Sequence, residues 1–129
     1  MDDVVGLASL RTLTARGTME GGPYVGLKTD AIYDWTSFHA ECQRAFGFPA
    51  FYARSMEAWV DCMSSLRSDD GVLAIRLPAG EMLELELTDT DGLRERVPDL
   101  IEGLVLATAE VNQRFIANGE APAIALIFS

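Results

Sequence analysis

Pro49 and Ser55 divide residues 46–66, FGFPAFYARSMEAWVDCMSSL, into the end of one helix, an aromatic corner and the start of a second helix. No other feature of the 129-residue chain constrains its fold as tightly. Proline lacks the amide hydrogen that a helix interior needs, so Pro49 stops the preceding helix, and Phe51 and Tyr52 follow as the corner. Ser55 is placed to cap the next helix through its hydroxyl. Met56, Trp59, Met63 and Leu66 recur at the spacing of one buried helical face. Glu57 and Asp61 lie off that stripe, four residues apart on a shared face. Like charges at that spacing disfavour a helix by roughly 0.2–0.5 kcal/mol, and aspartate is a poor residue for a helix interior. The helix dipole favours Glu57 in the first turn, whereas nothing local offsets Asp61. Two unpaired acids on a short helix next to an aromatic turn point to a binding surface, because local conflicts of this kind accumulate at functional sites. On spacing alone, the competing reading is an ordinary solvated helix face.

Elsewhere the pattern alternates strands and helices. Residues 24–27 read as a first strand, and Asp34 or Thr36 can cap a helix that runs to about Phe46. After Gly71, residues 72–77 read as a buried strand, with Pro78, Ala79 and Gly80 as turn residues. In residues 82–87, Leu83, Leu85 and Leu87 alternate with Glu84 and Glu86, the pattern of a half-exposed strand. A final helix begins around Pro98, carries Asp99 and Glu102 at its positive end and Arg114 at its negative end, and closes at Asn118 and Gly119. Its buried stripe is Leu100, Ile101, Leu104, Val105, Val111 and Phe115. Residues 123–128 are continuously apolar, as for a strand buried on both faces. This order predicts an α/β layered sandwich, a small and mainly parallel sheet with helices packed against it. Residues 1–22, with Val4, Val5, Leu7, Leu10 and Leu13, are an unassigned extension, and residues 23–129 form a single domain.

Twenty acidic residues against ten basic ones give a formal charge of −10, which argues against nucleic acid or an anionic membrane as the direct partner. A basic partner is favoured, although acidity also serves solubility. Cys42 and Cys62 fall in successive predicted helices and are read as reduced thiols. Asp2 and Asp3 lead a short apolar run broken by Gly6 and Arg11, unlike a secretory leader, and no stretch is long enough to span a membrane. A cytoplasmic location is expected.

Residues 47–63, GFPAFYARSMEAWVDCM, resemble the barstar family, the intracellular inhibitors of barnase-type ribonucleases. They follow its pattern of an apolar residue and Pro, paired aromatics, a short polar turn, then a helix reading acid, Ala, two apolar residues, Asp, Cys and a large apolar residue. Weaker similarity takes in Phe38, His39, Ala45 and Phe46 upstream and residues 123–129 downstream, covering 24–129 with one insertion. The resemblance implies the barstar-like layered fold, with a hairpin insertion formed by the arm around residues 78–91. It also implies a one-to-one inhibitor whose second helix and preceding loop enter the cationic active-site groove of a basic, extracellular-type ribonuclease. Asp61 takes the place of the family's central acid and Glu57 that of the acid one turn earlier. Phe51, Ser55, Val60 and Ser64 complete the implied partner-binding set. A carboxylate held on a rigid helix suits a cleft built to hold phosphate.

Several positions depart from the family. Glu57 replaces Asp, Phe51 replaces the usual Tyr, Ala53 a turn Gly, and Ser55 an Asn. Trp59 and Val60 reverse the usual order, which predicts an indole facing the core and Val60 facing the partner. On the last helix, where the family can offer another acid, this chain has Asn112, Gln113 and Arg114.

Enzymatic chemistry has little to work with. His39 is the only histidine and is read as packed or surface rather than as a general base. The chain has no Gly-rich phosphate loop, HExxH motif or nucleophile elbow. No catalytic residue, metal or cofactor is expected, and the free chain is read as a monomer. Two alternatives remain: an immunity protein of the same fold against a toxin that is not a ribonuclease, and a small acidic metal-dependent hydrolase or cation-binding domain using Glu57, Asp61 and Ser64.

Overall fold

The computed structural model describes residues 23–129; the extension at 1–22 lies outside the described residues. The elements are β1 (Tyr24–Leu27), a 3-10 turn (Thr29–Ala31), α1 (Trp35–Phe46), α2 (Met56–Met63), β2 (Leu83–Leu87), α3 (Thr90–Arg96), α4 (Leu100–Ala117) and β3 (Ile124–Phe128). Asp34 starts α1 with a reciprocal cap: its carboxylate accepts from the Ser37 amide at 2.8 Å, and Ser37 Oγ accepts from the Asp34 amide at 3.0 Å. Gly47 ends α1 at φ 72°, and a Cβ there would lie 2.5 Å from that of Ala74, so both backbone and space require glycine.

The three strands run parallel in the order β1-β2-β3, with Val25, Leu85 and Leu126 in register. Parallel neighbours need long crossovers, supplied by α1 and α2 between the first two strands and by α3 and α4 between the last two. Leu83, Leu85 and Leu87 are fully buried on one face of β2 and join Phe38, Phe46, Trp59, Leu100, Leu104 and Val111 in one core. The expected layered α/β fold is present.

Its strand assignment differs from the sequence reading in an instructive way. Residues 72–77 form no strand and the hairpin is absent. The Ala74 amide donates to Phe46 O at 2.9 Å and the Leu77 amide to Leu66 O at 2.7 Å, so these donors serve the last residue of α1 and the turn after α2 and not a neighbouring strand. Leu73 and Leu77 are buried nonetheless, which accounts for the strand-like pattern. β2, read as half-exposed, is the central strand, and Glu84 is only 2% exposed. β3, read as buried on both faces, is an edge strand with Ala125, Leu126 and Phe128 partly exposed. Val105 leaves the expected stripe and is 43% exposed on α4.

α3 went unread because only Thr90 and Leu93 of its seven residues are buried, leaving no apolar period. Tertiary contacts hold it: Arg96 donates to Ile32 O at 3.0 Å and to Thr29 O at 2.8 Å, tying α3 to the segment after β1.

Candidate partner-binding surface

α2 is short, and its position comes from its ends and its buried face. Ser55 caps it in extended conformation, its hydroxyl accepting from the Ala58 amide at 3.1 Å. Trp59 and Met63 are fully buried beneath it, and Leu66 follows in the turn after the helix. The Trp59 indole therefore faces the core as expected. Its Nε1 meets no acceptor in good hydrogen-bond geometry among the described residues, although it interacts with the Cys42 sulfur closely enough to oppose in part the effect of burial on that thiol. Burial pushes the Cys42 thiol, beside Trp59, up to about 12, and raises Cys62 as well, with the Asp61 charge adding to the rise. Both cysteines are free.

Val60 corrects the sequence reading. It is 7% exposed and belongs to the core, because α2 lies against α4 and turns this residue toward the neighbouring helix. It forms the floor, not the rim, of a groove of about 640 Å3 between α2 and α4. Glu57 and Asp61 stand along the α2 side of this groove; Leu106 and Glu110 face them from α4. Leu106 is 65% exposed, an aliphatic side chain left in the open beside three acids.

The two predicted acids are exposed on one face, yet only Glu57 is without an ionic partner among the described residues. Arg114 reaches across from α4 and donates through Nη1 to Asp61 Oδ1 at 2.9 Å. The same nitrogen lies 3.4 Å from Ser64 Oγ, and Arg114 Nε lies 3.6 Å from Glu110 Oε2. The expectation that Asp61 is unpaired is therefore overturned by a residue 53 positions later. Ser64 donates its hydroxyl to Val60 O at 2.7 Å, closing the last turn of α2 while its oxygen faces Arg114.

The loop before α2 adds the aromatic side of the surface. Phe51 is 86% exposed, whereas Tyr52 is buried and hydrogen-bonded to His39 Nδ1 at 2.5 Å. Burial holds the His39 imidazole below its usual range, with the Arg54 charge adding to the effect, and burial raises the Tyr52 phenol. His39 is thus a packed anchor for the loop. Arg54, not the Ala53 that stands for the family's turn glycine, takes the left-handed conformation, at φ 55°.

Sequence reasoning missed Glu110 and Leu106. Both are visible once α4 is phased by its buried face, since they flank Ala107 and Val111 on the side toward α2. It also set Asn112, Gln113 and Arg114 where the family can offer another acid. In the structure Asn112 is turned to β3: its Oδ1 accepts from the Ala123 and Ile124 amides at 2.8 and 2.9 Å, and its Nδ2 donates to Ile124 O at 3.0 Å.

A family model described as Barstar (barnase inhibitor) matches residues 23–127. The chain belongs to the barstar family. The match spans β1, both crossovers and nearly all of β3, far beyond the residues 47–63 that carried the resemblance. No curated protein matches the chain. Barstar-family proteins are inhibitors, not enzymes, and membership implies a ribonuclease as the binding partner. Among the described residues, no group of three or more His, Cys, Asp or Glu is placed to hold a metal ion. Among the same residues, no helix is long and apolar enough to cross a membrane.

Proposed function

We propose that this protein is a stoichiometric, one-to-one inhibitor of a basic barnase-type ribonuclease, acting in the cytoplasm as a free monomer. Asp61 and Glu57 enter the phosphate-binding cleft, Phe51 stacks at its edge, and Ser55 and Ser64 fix the two ends of the helix that presents them. The observation that carries this reading is the pair of exposed carboxylates one turn apart on a helix whose other face is locked by Trp59 and Met63. A carboxylate on a preorganised helix loses little side-chain and backbone freedom on binding, so more of its charge-assisted hydrogen bonding goes to affinity. The charge of −10 draws a cationic partner over distance.

Titration of the purified chain into a barnase-type ribonuclease assay, with Asp61→Ala beside it and salt varied, tests the proposal. One-to-one inhibition that is lost in the variant and weakens with salt supports it. Failure to inhibit, at stoichiometric concentration, barnase-type ribonucleases with either a basic or an acidic cleft rim removes the ribonuclease as target and leaves the second reading, immunity to another toxin. That reading draws on Arg114, a cation set into the middle of the acidic surface.

A further inference from the structure

Among the described residues, Arg114 is the only basic one lining the groove between α2 and α4. A solvated arginine near a helix C-terminus needs no explanation, since the macrodipole favours it there. This one does more than complement the dipole. Its guanidinium bridges both walls, contacting Asp61 and Ser64 on the α2 side and Glu110 on its own helix. It engages Oδ1 of Asp61, and the Asp61 side chain is otherwise 70% exposed. The groove is consequently uneven in charge. Among the described residues Glu57 has no cation beside it; one turn on, Asp61, Arg114 and Glu110 form a mixed cluster with a single net negative charge.

A nuclease cleft that is basic throughout would suit Glu57 and clash with Arg114. Bringing a partner cation to Asp61 sets it beside the guanidinium in a region from which docking expels water, and repulsion between like charges grows as the local dielectric falls. Two arrangements relieve this. Arg114 can swing out, giving up its bond to Asp61, or the partner can bring a carboxylate to receive it. The second keeps every charge paired inside the interface, and unpaired buried charge is the costlier outcome.

We infer that Arg114 is a specificity-determining residue, which admits ribonucleases that present an acidic side chain next to the cationic pocket for Asp61 and rejects those whose cleft rim is basic at that point. This rests on the inhibitor reading above. In recognition terms Asp61 and Glu57 are the attractive elements, and Arg114 is the repulsive one that separates cognate from non-cognate clefts.

The test is a charge swap across the interface. The probes are a barnase-type ribonuclease of known structure whose rim is basic where Arg114 would dock, and the same nuclease with that rim Lys or Arg replaced by Glu. Each is titrated with the full chain as wild type, R114A, R114Q and R114E, after thermal melts have shown that the variants fold. The expected result is that R114A and R114E inhibit the basic-rim nuclease at least tenfold more tightly than wild type does, and that the order reverses on the Glu-rim nuclease. A side chain that merely steadied the helix would not respond to the partner's charge. R114A, with R114Q as the near-isosteric control, overturns the inference if it inhibits both nucleases more weakly than wild type, because Arg114 would then be positioning Asp61 for every partner. Equal inhibition by all four proteins also overturns it, while leaving the inhibitor reading intact. If wild type and variants all fail on both nucleases, the inhibitor reading falls and this inference falls with it.

Discussion

His39 Nδ1 and the Tyr52 hydroxyl form a buried hydrogen bond that joins α1 to the loop presenting Phe51. The imidazole titrates below its usual 6.5 because burial disfavours the charged ring. In that case the unfolded chain binds the proton at higher pH than the folded one, so the His39 contribution is fully present above about pH 6.5 and fades as pH falls through the folded value. Denaturant melts between about pH 7.5 and about pH 5 are expected to show this decline. In His39→Gln, which cannot charge, the part of the slope that lies just below 6.5 disappears. An unchanged slope in that variant assigns the acid sensitivity to other groups.

Asp61→Ala separates binding from folding. The ion pair with Arg114 is exposed on both sides, at 70% and 45%, so its loss alters stability by less than about 1 kcal/mol. On the proposed inhibitor reading, removing the Asp61 carboxylate is expected to weaken inhibition by roughly ten- to hundredfold or more. Melts and inhibition titrations on one preparation check both halves. A variant that unfolds makes Asp61 a structural residue.

Trp59→Ala is the converse case. The indole is fully buried in the core under α2, and truncating it costs roughly 3–5 kcal/mol through lost burial and a cavity. Inhibition measured where the variant remains folded is expected to weaken less than in Asp61→Ala, since both acids remain but the helix that presents them is held less rigidly.

Asn112→Ala leaves the Ala123 and Ile124 amides without their side-chain acceptor and Ile124 O without its donor. A loss of roughly 1–3 kcal/mol follows, read from chemical denaturation. Hydrogen exchange is expected to rise first at the start of β3. A variant as stable as wild type means water replaces all three bonds without cost.

Gly47→Ala tests the end of α1. The left-handed backbone alone costs an L-residue about 1–2 kcal/mol. The added methyl also meets Ala74 Cβ at 2.5 Å, so the segment carrying Leu73 and Leu77 has to move. A destabilisation larger than the backbone term, with Gly47→Asn intermediate, is expected by thermal melting.

The chain's own order of residues determined β1, α1, α2 and α4, because each rests on local chemistry: the Asp34 and Ser55 caps, the break at Pro49, and the spacing of Trp59 with Met63 or Leu100 with Leu104. The same local logic marked Asp61 and Glu57 as acids off the buried stripe, and the family resemblance added Phe51 to them. Tertiary structure decided what periodicity cannot encode, namely which element lies beside which. Alternating Leu and Glu made β2 look like an outer strand, yet its parallel pairing on both sides put it in the centre. An apolar run made β3 look central, and the strand order left it at the edge. Packing of α2 on α4 drew Val60 inward, brought Glu110 and Leu106 up to the acids, and delivered Arg114 to Asp61 across 53 residues of chain. Helix caps and stripes are interactions over a few residues, so sequence displays them; an ion pair between two helices exists only after the sheet has fixed where those helices stand.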